Sequence, residues 1–272
     1  MTTTPTTPAE RPIALRPLGI NWIGMWGIVR REATDAMRHP TQIMLAPWIS
    51  ALIFIFVFGY VLGTRMPAIG GVPYLKFLLP GIVMMDVVTV AFQQTSGDLY
   101  FARFQRYVQE MLVSPLSYFE MMMGSLVIAI LRAFVTALGV LGMGWVFGGL
   151  SIVSFPEFLF WIAAVAVVFA LAGMIVGLWA DNFEQLGAVP IFFLSPLSMV
   201  GGVFTTVAML PGWLRLLAYA NPLFYFINGL RHAMIGFNDS PGFIGVGVTL
   251  VLVTAMGAIV WRLFATGWGL RE

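Results

Sequence analysis

Cysteine is absent from the 272 residues. The chain therefore has no disulfide framework, no thiolate metal site and no cysteine nucleophile. Lysine occurs once, as Lys76, and Phe77 follows it. That excludes a Gly-rich phosphate loop closed by Lys-Ser or Lys-Thr, so the chain has no ATPase site of that kind. The two histidines, His39 and His232, stand far apart, and neither HExxH nor GxSxG occurs, so the signatures of metal-dependent and serine hydrolases are missing. Thr95-Ser-Gly-Asp98 approaches the GxGD pattern of intramembrane proteases but lacks its first glycine, and it reads as a helix terminus. Charge is scarce as well, at 10% against about 25% in a soluble domain. The 13 Arg are not gathered into one basic face, so nucleic acid is not an expected partner.

The chain is 60% hydrophobic, with a mean hydropathy of +0.92. There is too little polar surface to cover one water-soluble core, and several apolar runs reach the ~20 residues that span a bilayer. The expected fold is an all-α membrane protein. Six spans are predicted, at about 41–62, 76–96, 118–148, 156–179, 187–208 and 243–264. Residues 1–19, Thr/Pro-rich at their start and without an apolar core beside a basic start, read as a disordered tail and not a signal peptide. At 20–40, Trp22, Met25, Val29, Ala33 and Met37 recur at steps of three and four while Arg30, Arg31, Glu32, Asp35 and Arg38 take other faces. That is an amphipathic interfacial helix, stopped by His39-Pro40. Residues 209–232 are apolar but broken by Pro211 and Pro222, and Asn221, Asn228 and Arg231 interrupt them. They read as a re-entrant pair of short helices before the last span, shielded by protein or wetted by a cavity.

Six spans put both termini on one side. Arg11, Arg16, Arg30, Arg31, Arg38, Arg103, Arg106, Arg262 and Arg271 fall there, against Arg65, Arg215, Arg231 and the boundary residue Lys76 on the other. The excess predicts cytoplasmic termini and a cytoplasmic loop after the second span.

That loop holds RFQRYVQEMLVSP, residues 103–115. Phe104, Tyr107, Val108, Met111 and Leu112 form one apolar stripe, and Arg103, Arg106 and Glu110 lie off it. Pro115 ends the helix, and Ser117 with Glu120 forms a capping box that opens the third span. A helix lying on lipid and a helix docked in a groove of a cytoplasmic partner both fit the stripe.

KFLLPGIVMM (76–85), FQRYVQEMLVSPLS (104–117), FFLSPLSMVGGVF (192–204) and LPGWLRLLAYANPLFYFINGLRHAMIGFND (210–239), in this order within six spans, resemble the ABC-2 type permease family. The likeness is to small bacterial half-size permeases of the drug, nodulation-factor and polysaccharide export group, over about residues 20–270. It implies that 103–115 is a coupling helix seated in a cleft of a separate ATPase subunit, with Arg103, Phe104, Arg106, Tyr107, Val108, Glu110, Met111 and Leu112 as contacts. It further implies a cytoplasmic connecting helix at 20–38, an extracellular re-entrant pair at 209–232, and a homodimer with two ATPase copies. Location in the bacterial cytoplasmic membrane follows, with ATP and Mg bound by the partner and no cofactor bound by this chain. Asp181 and Glu184, after the fourth span, offer a second cytoplasmic contact or a solvated turn.

Asp86 and Arg132 sit within the second and third spans, where a charge costs about 2.5–3.5 kcal/mol on insertion scales. They form a packing bridge or a polar spot on the path. Gly59/Gly63, Gly144/Gly148 and Gly173/Gly177 are GxxxG pairs suited to close packing inside the bundle. An ion-driven secondary transporter using Asp86 is the competing reading, although no internal repeat is visible. An intramembrane enzyme is the other, and it lacks a nucleophile–base set.

Overall fold

The computed structural model describes residues 24, 26–27, 29–30, 34, 38, 45–63, 65–104, 118–147 and 151–268. Among these the regular elements are all helices, with no strand. Five helices are long and apolar enough to cross a membrane: α2 (Tyr74–Phe104), α3 (Tyr118–Val146), α4 (Phe155–Trp179), α5 (Phe183–Val200) and α8 (Gly242–Thr266). Before them comes a shorter apolar helix, α1 (Ala46–Leu62). Between α5 and α8 lie α6 (Gly212–Ala220) and α7 (Pro222–Ile235). At 1.5 Å per residue these two are about 14 and 21 Å long, short of a hydrocarbon core of roughly 30 Å. The tail at 1–19, most of the helix at 20–40 and the segment 105–117 lie outside the described residues; those described between 24 and 38 are helical.

α2 is apolar on nearly every face and is accordingly the central helix, touched by α1, α3, α4 and α7. It runs to Phe104, two turns beyond the expected end near 96. The polar residues that suggested an end are satisfied within the bundle. Thr95 Oγ1 donates to Ala170 O of α4 at 2.7 Å, and Gln94 Nε2 donates to Asp98 Oδ2. α5 starts earlier and stops sooner than 187–208, because the chain turns at Gly201-Gly202. Pro190 opens the π turns of Pro190–Leu194, an adjustment that proline in an apolar helix commonly forces.

One of the small-residue pairs, Gly173/Gly177, packs with both members against a neighbouring helix. A Cβ on Gly177 would lie 2.7 Å from Ser96 O, and one on Gly173 would collide with Phe92 O and Thr95 Oγ1. α4 therefore rides directly on the α2 backbone. The buried indole of Trp161 in α4 lies against Gly229 of α7 and Gly245 of α8, so three helices meet on one ring. α1, α5 and α8 turn large apolar side chains outward, including Phe56, Tyr60, Phe192, Phe193, Leu250 and Val251, as a lipid or partner-facing surface does.

The connections collect at two ends. At one, Gly70 and Gly71 take positive φ (57° and 79°), and Ile69 and Val72 exchange backbone hydrogen bonds of 3.0 Å, a tight hairpin turn. This end also gathers 201–211, α6, α7 and the α3–α4 loop: Val153 N and Ser154 N both donate to Ala233 O at 2.9 Å. At the other end α2 and α4 finish and α5 begins.

Candidate functional site

At the second end α2 carries Arg103 in its last turn. The guanidinium turns inward and its side chain is 14% exposed. Nη1 donates to Gly177 O (3.2 Å), Leu178 O (2.7 Å) and Ala180 O (3.1 Å), and Nη2 lies 4.0 Å from Asp181 Oδ1. These carbonyls close α4, whose last oxygens have no partner within the helix. A cation there also meets the negative end of the helix dipole. Arg103, expected off the stripe among the partner contacts, is bound to the end of α4.

The turn that follows is fixed by its own side chains. Asn182 Oδ1 accepts from Gln185 N at 2.8 Å, and Gln185 Oε1 accepts from Asp181 N at 2.9 Å. This reciprocal cap starts α5, and Glu184 sits in its first turn, where an acid suits the dipole. Asp181 and Glu184 are both exposed. Tyr100 and Phe101 from α2 meet Phe183 from α5, with ring centroids 6.4 and 6.1 Å apart, and Phe104 stacks on Tyr100 at 6.3 Å. Phe104 is 74% exposed, and Phe101, Trp179 and Phe183 are exposed beside it. The structure thus brings the start of 103–115 against the 181–184 turn. Arg106, Tyr107, Val108, Glu110, Met111 and Leu112 lie outside the described residues, as do Pro115 and Ser117.

Near the middle of α2, Asp86 is 7% exposed and its Oδ2 has no hydrogen-bond partner. No ion pair joins it to Arg132, which makes its interactions elsewhere. The offset explains this. Gly144 of α3 packs on Leu79 of α2, so twelve residues along the antiparallel pair Arg132 comes level with about residue 91, roughly 7.5 Å from the height of Asp86.

At the first end Arg231 is 1% exposed. Its Cζ lies 3.8 Å over the Phe77 ring, Nη2 donates to Gly202 O at 2.7 Å, and Nη1 is 4.0 Å from Asp239 Oδ2. Burial pushes the Asp239 carboxyl above the ordinary carboxylate range, with Arg231 pulling it back. Asn228 donates to Ser240 O (2.8 Å) and accepts from Asp239 N (2.7 Å), tying α7 to the loop that follows it. Asn221 caps α7 through Leu223 N (3.0 Å) and holds Leu197 O of α5 (2.6 Å), with Pro222 at the first helical position. Pro211 precedes α6 and cannot donate a backbone hydrogen bond. α6 exposes Trp213, Leu216 and Leu217, and its Arg215 donates to Ala208 O at 3.0 Å.

Sequence reasoning did not find the cap made by Arg103, the Phe77–Arg231 stack, or the 2.8 Å contact of His232 Nδ1 with Glu157 Oε2 that joins α7 to α4. Asn182-x-x-Gln185 was a visible signal, since a side-chain acceptor followed three residues later by Gln marks a helix start.

Comparison with known proteins gives one answer. The family model described as ABC-2 type transporter matches residues 24–235. The chain is similar to the inner membrane transport permease YadH of Escherichia coli, 31% identical over 251 residues, covering 92% of this chain and 98% of that protein. It is also similar to nodulation protein J of Sinorhizobium fredii, 27% identical over 227 residues (82% and 83% covered). Nodulation protein J of Rhizobium meliloti is 26% identical over 224 residues (82% and 84% covered).

Proposed function

This chain belongs to the ABC-2 type transporter family, as a membrane subunit of a transporter, and from that premise we propose that it is an exporter permease driven by an ATPase supplied in trans. Two copies form the pathway and two ATPase subunits bind the cytoplasmic side. The Arg103 end of the bundle is that side, in keeping with the arginine excess in the segments that meet there. Residues 103–115 form the coupling helix, and the 181–184 turn is the second point of contact. α1 completes six spans, and α6 and α7 form the re-entrant pair in the outer leaflet.

The observation that carries this reading is the meeting of α2's last turn with the 181–184 turn, beside exposed Phe101, Phe104 and Phe183. A subunit pushing at either place pushes both. Nucleotide closing of the ATPase pair then biases the helices between two arrangements. This chain binds no nucleotide of its own; the partner binds ATP and Mg.

Purification of the tagged chain in mild detergent tests the proposal. An ATPase subunit is expected to co-purify and to be lost when Phe104 and Met111 are changed to Asp. Permease recovered alone under every mild condition, without stimulating the ATPase encoded beside it, would sink the reading. The buried, unpartnered Oδ2 of Asp86 favours one competitor, an ion-driven carrier. Asp86→Asn would stop such a carrier and leave ATP-driven export nearly unchanged.

A further inference from the structure

α2 and α4 are joined at three levels. Thr95 is bonded to Ala170 O near mid-helix. Gly173 and Gly177 allow the two backbones to touch. Arg103 binds three carbonyls at the α4 terminus. The first two lie within the bundle and hold whatever happens below. The third is at the point where the chain leaves α2 for 105–117 and leaves α4 for α5. Besides it, the last turns of α2 beyond Gly97 are held to the turn by apolar packing, Tyr100 against Ala180 and Leu186 and the Tyr100 and Phe101 rings against Phe183. An arginine is suited to the task because its planar fork satisfies several carbonyls at once while Nη2 faces Asp181.

From this geometry we infer that Arg103 is a positioning residue, a clamp that makes the inner ends of α2 and α4 and the Asp181–Gln185 cap one rigid piece. Force delivered to 105–117 is thereby passed to α4 and through it to the far end of the bundle. Arg103 acts through these carbonyls and does not bind the motor subunit. The inference rests on the exporter reading for its consequence but not for its geometry.

The absence of cysteine gives a clean reporter. Val153→Cys places one thiol at the far end of α4, where the side chain is 70% exposed. In membrane vesicles holding the complete complex, its labelling by an impermeant maleimide is measured with and without ATP and vanadate. A nucleotide-dependent change of about fivefold is expected with Arg103 in place. In Arg103→Gln that change is lost while the ATPase subunit co-purifies at wild-type stoichiometry, and Arg103→Lys restores part of it. Hydrogen exchange of the permease alone is the second arm: the amides of 180–186 exchange about tenfold faster in Arg103→Gln, with Lys intermediate. This arm also serves if the Gln variant assembles poorly. An unchanged nucleotide response in Arg103→Gln overturns the clamp. So does loss of the ATPase subunit with unaltered exchange at 180–186, which would make Arg103 a motor contact. Failure of the wild type to retain any ATPase sinks the exporter reading instead, and the exchange arm then decides the clamp alone.

Discussion

Each end of the bundle is organised by one arginine, and the two are used in opposite ways. Arg231 is sealed, lying on the Phe77 ring and bonded to Gly202 O, with Asp239 opposite. Arg103 is held by the carbonyls of Gly177, Leu178 and Ala180, next to the exposed carboxylate of Asp181 and exposed rings. A buried guanidinium must keep every partner or leave a charge stranded in low dielectric. One at a helix end loses less when it is replaced, since water reaches the carbonyls it leaves. The Arg231 end is built to hold a fixed shape, and the Arg103 end is built to be acted on.

Like substitutions at the two ends sharpen or break that contrast. Arg231→Met removes the ion that faces half-buried Asp239, and the expected loss is about 3–5 kcal/mol, read as a lower unfolding midpoint in mild detergent. Arg103→Gln is expected to cost only about 1 kcal/mol; equal losses would erase the distinction. Gly177→Leu forces α2 and α4 apart at Ser96 O, with an expected cost of about 1–3 kcal/mol. The two caps make a finer comparison. Asn221→Ala removes the bond from buried Asn221 to Leu197 O as well as the cap on the α7 start and should cost about 2 kcal/mol, against about 1 kcal/mol for exposed Asn182→Ala. The smallest expected change is Asp86→Asn. It removes a buried, unpaired carboxylate and should raise the midpoint slightly, because a neutral amide is easier to bury. A large drop would reveal a partner for that charge.

Helical class and the long apolar helices were legible because unbroken apolar runs of ~20 residues fit spanning helices, which satisfy their own backbone groups. The α7 start was legible too, since Asn221-Pro222 is a cap followed by the residue that favours the first helical position. The end of α2 was not. Thr95, Ser96 and Asp98 look like a terminus until α4 supplies Ala170 O, 75 residues away. The bonds made by Arg103 were not legible for a related reason. The carbonyls it binds are backbone groups, which every sequence contains and none advertises, so helical periodicity placed it only off the apolar stripe. Whether Asp86 and Arg132 bridge or mark a polar spot stayed open in the sequence, because span boundaries read from hydropathy do not fix the axial register of two neighbours.

Trp161 has a consequence in time. Its ring lies in α4, against Gly229 and Gly245, and Gly245 leaves the ribosome 84 residues after the tryptophan. At ~5–20 residues per second, the indole waits roughly 4–17 s for α8. During that interval α4 and α7 have an unfinished seam, and the last helix made is the one that completes it. Truncation of α8 would thus leave its mark on the Trp161 seam, in the middle of the chain.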